Sequence, residues 1–210
     1  MKKVTKILSS VIILALLISM TACSGGGNTV SKIALKTVWD NYLKENNESE
    51  LYFLPSDYDG DGSEEAYGIT GKNDGVGYTY NVKIYFINSA GNVSCVKDSA
   101  YGGGSLFGQL QNYEKLTADS EKVFLKAGKQ KFIVWEIDGG GSSSVSVVLG
   151  VRNDAPYQPK ISGKYQYFHR SNDDGNVYIG TTSDWSQGYH DYTDVSFSFN
   201  ASTGEFEEKK

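Results

Sequence analysis

Cysteine, proline and histidine are scarce in this chain, and each shortage narrows what the protein can be. Two cysteines among 210 residues exclude a fold held together by several disulfide bonds. Three prolines, beside 24 glycines and 15 tyrosines, favour strands joined by turns over disorder or long helices. The two histidines, His169 and His190, lie far in sequence from Cys95. We therefore interpret Cys95 as a small strand residue, because a nucleophilic thiol needs a base that lowers its pKa.

Basic residues are also in short supply. The chain holds 20 lysines and arginines against 25 aspartates and glutamates, a net charge of −5. Three of those lysines, Lys2, Lys3 and Lys6, fall within residues 1–22, which contain no acid. Without these three, residues 23–210 hold 17 basic and 25 acidic residues, a net charge of −8. We therefore expect no nucleic acid as a partner, because contacts to phosphates need lysine and arginine.

Long apolar runs are lacking as well. The unbroken apolar segment near the N-terminus, residues 11–18, has eight residues, whereas a membrane-spanning helix needs roughly 20. A basic start, a short apolar segment and small residues after it are typical of a secretory signal peptide. We assign residues 1–22 to such a signal, which is expected to be removed from the mature protein.

The end of this signal carries a second pattern. Residues Met20-Thr21-Ala22-Cys23 resemble the lipobox of bacterial lipoproteins, in which a small residue precedes the lipidated cysteine. The resemblance implies cleavage before Cys23, diacylglycerol on its thiol, and an anchor in the membrane at the extracytoplasmic face of the bacterial cell. The polar, glycine-rich residues that follow form a flexible tether. We expect residues 23–29 to link the anchor to a single folded domain, residues 30–210.

Periodicity predicts one helix in that domain. Apolar residues recur every three to five positions over residues 30–46, which is typical of an amphipathic helix. The remainder shows strand patterns without intervening helices, which favours antiparallel pairing; residues 106–116 are ambiguous and are also compatible with a short helix. The fold class predicted is therefore α+β and mainly β, with the N-terminal helix packed on a largely antiparallel sheet that forms a sandwich or a curved meander.

The strand predictions rest on alternation of apolar and polar residues. Alternation marks residues 78–86, 145–151 and 195–199, and residues 132–137 are apolar on both faces, as in a central strand. In the first of these strands we place one set on the buried face: Tyr78, Tyr80, Val82, Ile84 and Phe86. Glycine closes several of the predicted turns, among them those ending at Gly91 and Gly204, where it supplies the positive φ that short hairpin loops need.

The sharpest motif is an acidic loop of the form D-x-D-x-D-G-x-x-E. Its oxygen-bearing residues are Asp57, Asp59, Asp61, Ser63 and Glu65. Calcium takes six to eight oxygen ligands, and glycine after the third aspartate allows the sharp turn that makes alternate side chains converge. We predict a structural calcium ion bound by the aspartate side chains, the Ser63 carbonyl and Glu65. The alternative is a solvated acidic turn, which repulsion among four close carboxylates disfavours.

Residues 53–70 as a whole resemble the calcium loop of FG-GAP and VCBS-type extracellular repeats. In those repeats a D-x-D-G-D-G-x-x-[DE] run lies between two strands, and Asp57, Asp59, Asp61 and Glu65 match its four acidic positions. The resemblance implies calcium binding by those four residues, and it implies nothing about the rest of the chain. A complete EF-hand is excluded, because position 12 of the loop is Gly68 rather than glutamate. We interpret a second, less acidic loop at residues 136–144 as a turn.

The function class is less well defined by the sequence. Aromatic residues and both histidines crowd residues 157–192, where they either fill strands or form a binding face for a glycan or protein. Trp185, Tyr189 and Tyr192 are predicted to be the exposed members. No nucleophile motif or zinc-protease motif occurs, and we assign no catalytic residue. We predict a surface-anchored binding or accessory module; the alternative is a glycan-processing or other hydrolytic enzyme that uses aspartate and glutamate.

Overall fold

The computed structural model describes residues 32–73, 79–101, 104–106, 124–137, 145–163, 165, 167–170, 178–184 and 191–210. Within these ranges the protein is mainly β, with one helix and thirteen strands. All strand pairs that build its sheets are antiparallel, and an isolated bridge between Ile161 and Phe206 is parallel. The predicted class, mainly β with one helix, is confirmed in these terms.

The strands form three sheets. The first sheet has the order β1 (Glu50–Ser56), β2 (Glu65–Asn73), β3 (Thr79–Ile87) and β4 (Val93–Tyr101). The central sheet has the order β5 (Gly104–Leu106), β7 (Gln130–Ile137), β8 (Val145–Arg152) and β9 (Ala155–Tyr157), and β6 (Leu125–Ala127) also pairs with β7. The third sheet has the order β10 (Tyr167–Arg170), β11 (Tyr178–Asp184), β12 (Asp191–Asn200) and β13 (Glu205–Glu208).

Strand β7 is buried on both faces, as its continuous apolar run predicts. Ile133 and Trp135 belong to a core shared with strands of the first sheet. Phe132 and Val134, which point the other way because side chains alternate along a strand, belong to a core shared with the third sheet. The central sheet therefore contacts one neighbouring sheet on each face.

The helix α1 (Lys32–Asn46) packs against the outer face of the first sheet. Leu35 and Trp39 are fully buried there with Ala66, Tyr85 and other apolar residues. A Cβ at Gly68 would lie 2.6 Å from the Trp39 ring, so only glycine lets the indole lie against the sheet. In the part of the chain that the structure describes, no helix has the length and apolarity needed to cross a membrane.

Strand β3 differs from its prediction in two ways. Tyr80, predicted to be buried, is 43% exposed. The pairing register between β2 and β3 shifts between Thr70 and Lys72, and Asn81 of β3 has a left-handed backbone conformation, with φ +55. This bulge reverses the alternation of buried and exposed side chains at this point. The second difference is that Tyr85, on the face predicted to be polar, is buried because α1 covers it.

Candidate metal centre

The acidic loop, residues 57–64, connects β1 to β2. One carboxylate oxygen from each of Asp57, Asp59 and Asp61 can be chosen so that all three lie within 4.8 Å of one another. Gly60 at φ +76 and Gly62 at φ +95 turn the chain between and after these aspartates, which residues with a Cβ do at a cost. This group of three side chains can hold a metal ion.

Backbone amides of the same loop fix the aspartate side chains. The Gly60 amide donates to Asp57 Oδ1 at 2.7 Å, and the Gly62 amide donates to Asp57 Oδ2 at 3.2 Å. The Ser63 amide donates to Asp61 Oδ1 at 2.7 Å. A carboxylate oxygen has two lone pairs, so an oxygen that accepts one amide hydrogen bond retains the capacity to bind a cation. The loop thus holds its carboxylates together in advance.

Glu65, the first residue of β2, follows the loop, and the charges of all three aspartates act on its carboxyl group. Its side chain is fully buried, and its Oε2 accepts a hydrogen bond from the Tyr58 amide at 3.2 Å. Its Oε1 is buried without a hydrogen-bond partner. Burying a polar oxygen without a partner is costly, and a cation bound at this atom would offset that cost. Glu65 is not one of the three residues whose ligand atoms lie within 4.8 Å.

The pKa values report the same crowding of negative charge. Burial, with smaller contributions from the three aspartates, raises the pKa of Glu65 to about 8. The pKa of Asp59 is also raised, first by burial and then by the charge of Asp61. Each shift has the same two causes, which are burial of the carboxyl group and the negative charge of neighbouring aspartates. A bound cation would remove this penalty, so the donor set fits a hard cation that prefers oxygen ligands.

A strand of the central sheet and two of its turns contact the loop, and no sequence pattern predicted these contacts. The Lys131 amide of β7 donates to the Tyr58 carbonyl at 2.7 Å. Gly60 packs so closely on Lys129 that an added Cβ would lie 2.8 Å from the lysine Cβ. A backbone hydrogen bond from Asn153, in the turn between β8 and β9, reaches Asp59. Among these residues, Tyr58 is the one whose burial the sequence could have indicated, because it is a large aromatic residue in an otherwise polar loop.

Of the three aromatic residues predicted to bind a ligand, the structure describes Tyr192. Tyr192 lies on β12, opposite Ser183 in the strand register, and is 58% exposed. Trp185 and Tyr189 lie outside the described residues, and so do Cys23 and most of the second loop, residues 138–144. Cys95 is an exposed residue of β4.

Many of the remaining aromatic residues fill the core. Phe168, Tyr178 and Phe206 are buried together in the third sheet, with ring centroids 4.8 to 6.2 Å apart. Strand filling therefore accounts for this part of the aromatic segment. Ser63, predicted to give its carbonyl to the ion, is half-buried at the end of the acidic loop.

Comparisons with protein-family models, with curated proteins and with solved structures gave no match for this chain.

Proposed function

We propose that the protein is a lipid-anchored binding or accessory module whose β domain holds one structural calcium ion. The observation that carries the calcium proposal is the buried, unpartnered Oε1 of Glu65, which immediately follows a loop with three clustered aspartates. A solvated acidic turn accounts for the aspartates, but it gives no reason to bury a fourth carboxylate without a partner.

Calcium is the cation that this donor set suits. The side chains offered are all carboxylates, and soft thiolate or imidazole ligands are not among the clustered groups. Magnesium demands near-octahedral geometry and keeps several waters, whereas calcium accepts irregular shells of six to eight oxygens. Aspartates held on a curved loop beside a buried glutamate favour the larger, more tolerant ion.

The role proposed for the ion is structural. The acidic loop contacts the central sheet through Lys131, Lys129 and Asn153, so neutralising its carboxylates favours the packing of two sheets at once. In finer architecture we infer a sandwich of the three sheets with α1 on the outside, which the two cores that share β7 support.

Calcium titration of the full-length protein in detergent tests the proposed site. Isothermal calorimetry is expected to give one ion for this site, because the described residues contain one group of clustered acids that could hold a metal ion. Asp57→Asn should weaken binding strongly, since both oxygens of Asp57 also organise the loop. The charge-matched control is Asp40→Asn, which removes an exposed acid of α1 and should leave binding unchanged. Absence of binding by the wild type would end the calcium proposal.

The anchor at Cys23 is supported by the lipobox resemblance alone. Acyl chains hold a protein at a membrane because each buried methylene contributes about 0.8 kcal/mol. Wild-type protein expressed with its residues 1–22 in a bacterial host should therefore incorporate labelled palmitate and sediment with membranes. Cys23→Ser should lose both properties, whereas Cys95→Ser, which removes the other cysteine, should keep them. Equal labelling of the two variants would contradict the anchor.

A further inference from the structure

Tyr58 is the residue of the acidic loop that enters the core. It is fully buried, whereas its neighbours Asp57 and Asp59 are partly exposed. Its ring meets those of Tyr67 and Phe124 edge to face, with centroids 5.2 and 5.5 Å away. Its hydroxyl donates to the Leu54 carbonyl at 2.7 Å, so the polar end of the buried ring is satisfied.

Both backbone groups of Tyr58 are also engaged. Its amide donates to Glu65 Oε2, and its carbonyl accepts from the Lys131 amide of the central sheet. One residue therefore connects the buried carboxylate, the core between two sheets and a strand of the central sheet. The two aspartates bonded to it in sequence, Asp57 and Asp59, have their backbone positions set by the same anchor.

Such an anchor matters because the carboxylates repel one another. Without a fixed backbone, the loop would open and the cation would have to bring the acids together at a cost in conformational freedom. A ring held on three sides by aromatic and hydrogen-bond contacts removes that cost before the ion arrives. Residues behind a metal site that orient its ligands typically change affinity by about 10- to 100-fold when they are mutated.

We propose that Tyr58 is the positioning residue of the cation site and that, through Tyr58, ion occupancy is coupled to the contact between the first and central sheets. This inference rests on the calcium site proposed above. Coupling between two equilibria is reciprocal: if an ordered Tyr58 strengthens ion binding, a bound ion strengthens the hydrogen bond between the Tyr58 carbonyl and the Lys131 amide.

The positioning role of Tyr58 is tested by the calcium affinities of matched variants of the full-length protein in detergent. Tyr58→Ala is expected to weaken binding by about 10- to 100-fold, whereas Tyr58→Phe, which keeps the ring, should remain close to wild type. The matched control is Phe86→Ala. Phe86 is buried in the same core, and its ring centroid lies 5.4 Å from that of Tyr67, but it belongs to β3 and not to the acidic loop. Equal losses of affinity in Tyr58→Ala and Phe86→Ala would overturn the positioning role.

Hydrogen exchange of the wild type tests whether ion occupancy is coupled to the contact between the first and central sheets. This measurement needs no variant, so it does not depend on whether a variant folds. Calcium should slow exchange of the Lys131 amide relative to that of Phe197, which lies in the third-sheet core. If the wild type binds calcium and the Lys131 amide exchanges at an unchanged rate, the coupling is wrong while the calcium site stands. If the wild type binds no calcium, the site itself is wrong and the inference falls with it.

Discussion

Calcium is expected to raise the melting temperature of the full-length protein by about 5–10 °C once the free ion exceeds its Kd a hundredfold. A ligand that binds only the folded state stabilises it by RT ln(1 + [L]/Kd), about 2.7 kcal/mol at that excess. For a domain of this size each kcal/mol shifts the melting temperature by about 2–4 °C. Differential scanning calorimetry with calcium and then with excess EDTA measures the shift and its reversal.

Asp59→Ala is the variant expected to lose this shift. The Asp59 carboxylate lies between the other two aspartates in sequence and has a raised pKa from burial and from their charges. Removing it deletes one ligand and relieves part of the repulsion, so the variant should melt at nearly the same temperature with and without calcium. Glu64→Gln removes a neighbouring carboxylate that is not buried and should retain the shift. A wild type that melts identically in calcium and EDTA would refute the structural role.

Without calcium, the free energy of unfolding is expected to fall by a few kcal/mol as the pH rises from about 5 to about 8. Burial raises the pKa of Glu65 from 4.5 to about 8 in the folded chain. Below pH 4.5 the Glu65 carboxyl is protonated in both the folded and the unfolded chain, and its contribution to stability is fully present. As the pH rises through the interval, the unfolded chain releases a proton that the folded chain retains, so stability is lost up to about pH 8.

Urea unfolding in a calcium-free buffer at several pH values measures this slope. Glu65→Gln should remove most of this slope, because the amide stays neutral throughout, and should leave the smaller contribution of the same sign from Asp59, whose pKa is also raised. Glu48, whose pKa is lowered chiefly by a hydrogen bond from Lys83, contributes with the opposite sign below its ordinary pKa of 4.5, outside the interval. A slope that is undiminished in Glu65→Gln would mean that another group titrates.

Saturating calcium should reverse the pH dependence. A cation beside Glu65 favours the ionised carboxylate, so calcium binding should tighten as the pH rises and should release a proton near neutrality. The same urea series in calcium, and calorimetric titrations in buffers with different ionisation enthalpies, measure the two effects.

Local patterns predicted the elements whose backbone conformation is set by nearby residues. Alternation located β3, β8 and β12, and a run of residues that is apolar on both faces located β7 as a strand buried on both sides. The turns that end at Gly91 and Gly204 have the positive φ expected of them, +82 and +72. The acidic motif brought three aspartates together because alternating side chains and glycines curl a short loop, which is a property of the loop itself.

Local sequence patterns did not predict how many sheets form or which element packs on each face of a sheet. Tyr85 is buried because α1 lies over a face that alternation marks as polar, and Tyr80 is exposed because of a bulge that alternation does not reveal. Both outcomes depend on elements distant in sequence. A hydrophobic pattern reports how many faces of a strand are apolar, not which element packs on them.

By itself, the sequence determined that a mainly β chain carries one helix and an acidic loop with the spacing of a calcium ligand set. Tertiary structure alone decided that Glu65 is buried with an unpartnered oxygen and that Tyr58 anchors the loop to the core. The reason is that burial, and with it the pKa of a carboxyl group, depends on every surface that closes around a residue. Those surfaces include β7, which supplies Lys131 from more than seventy residues farther along the chain.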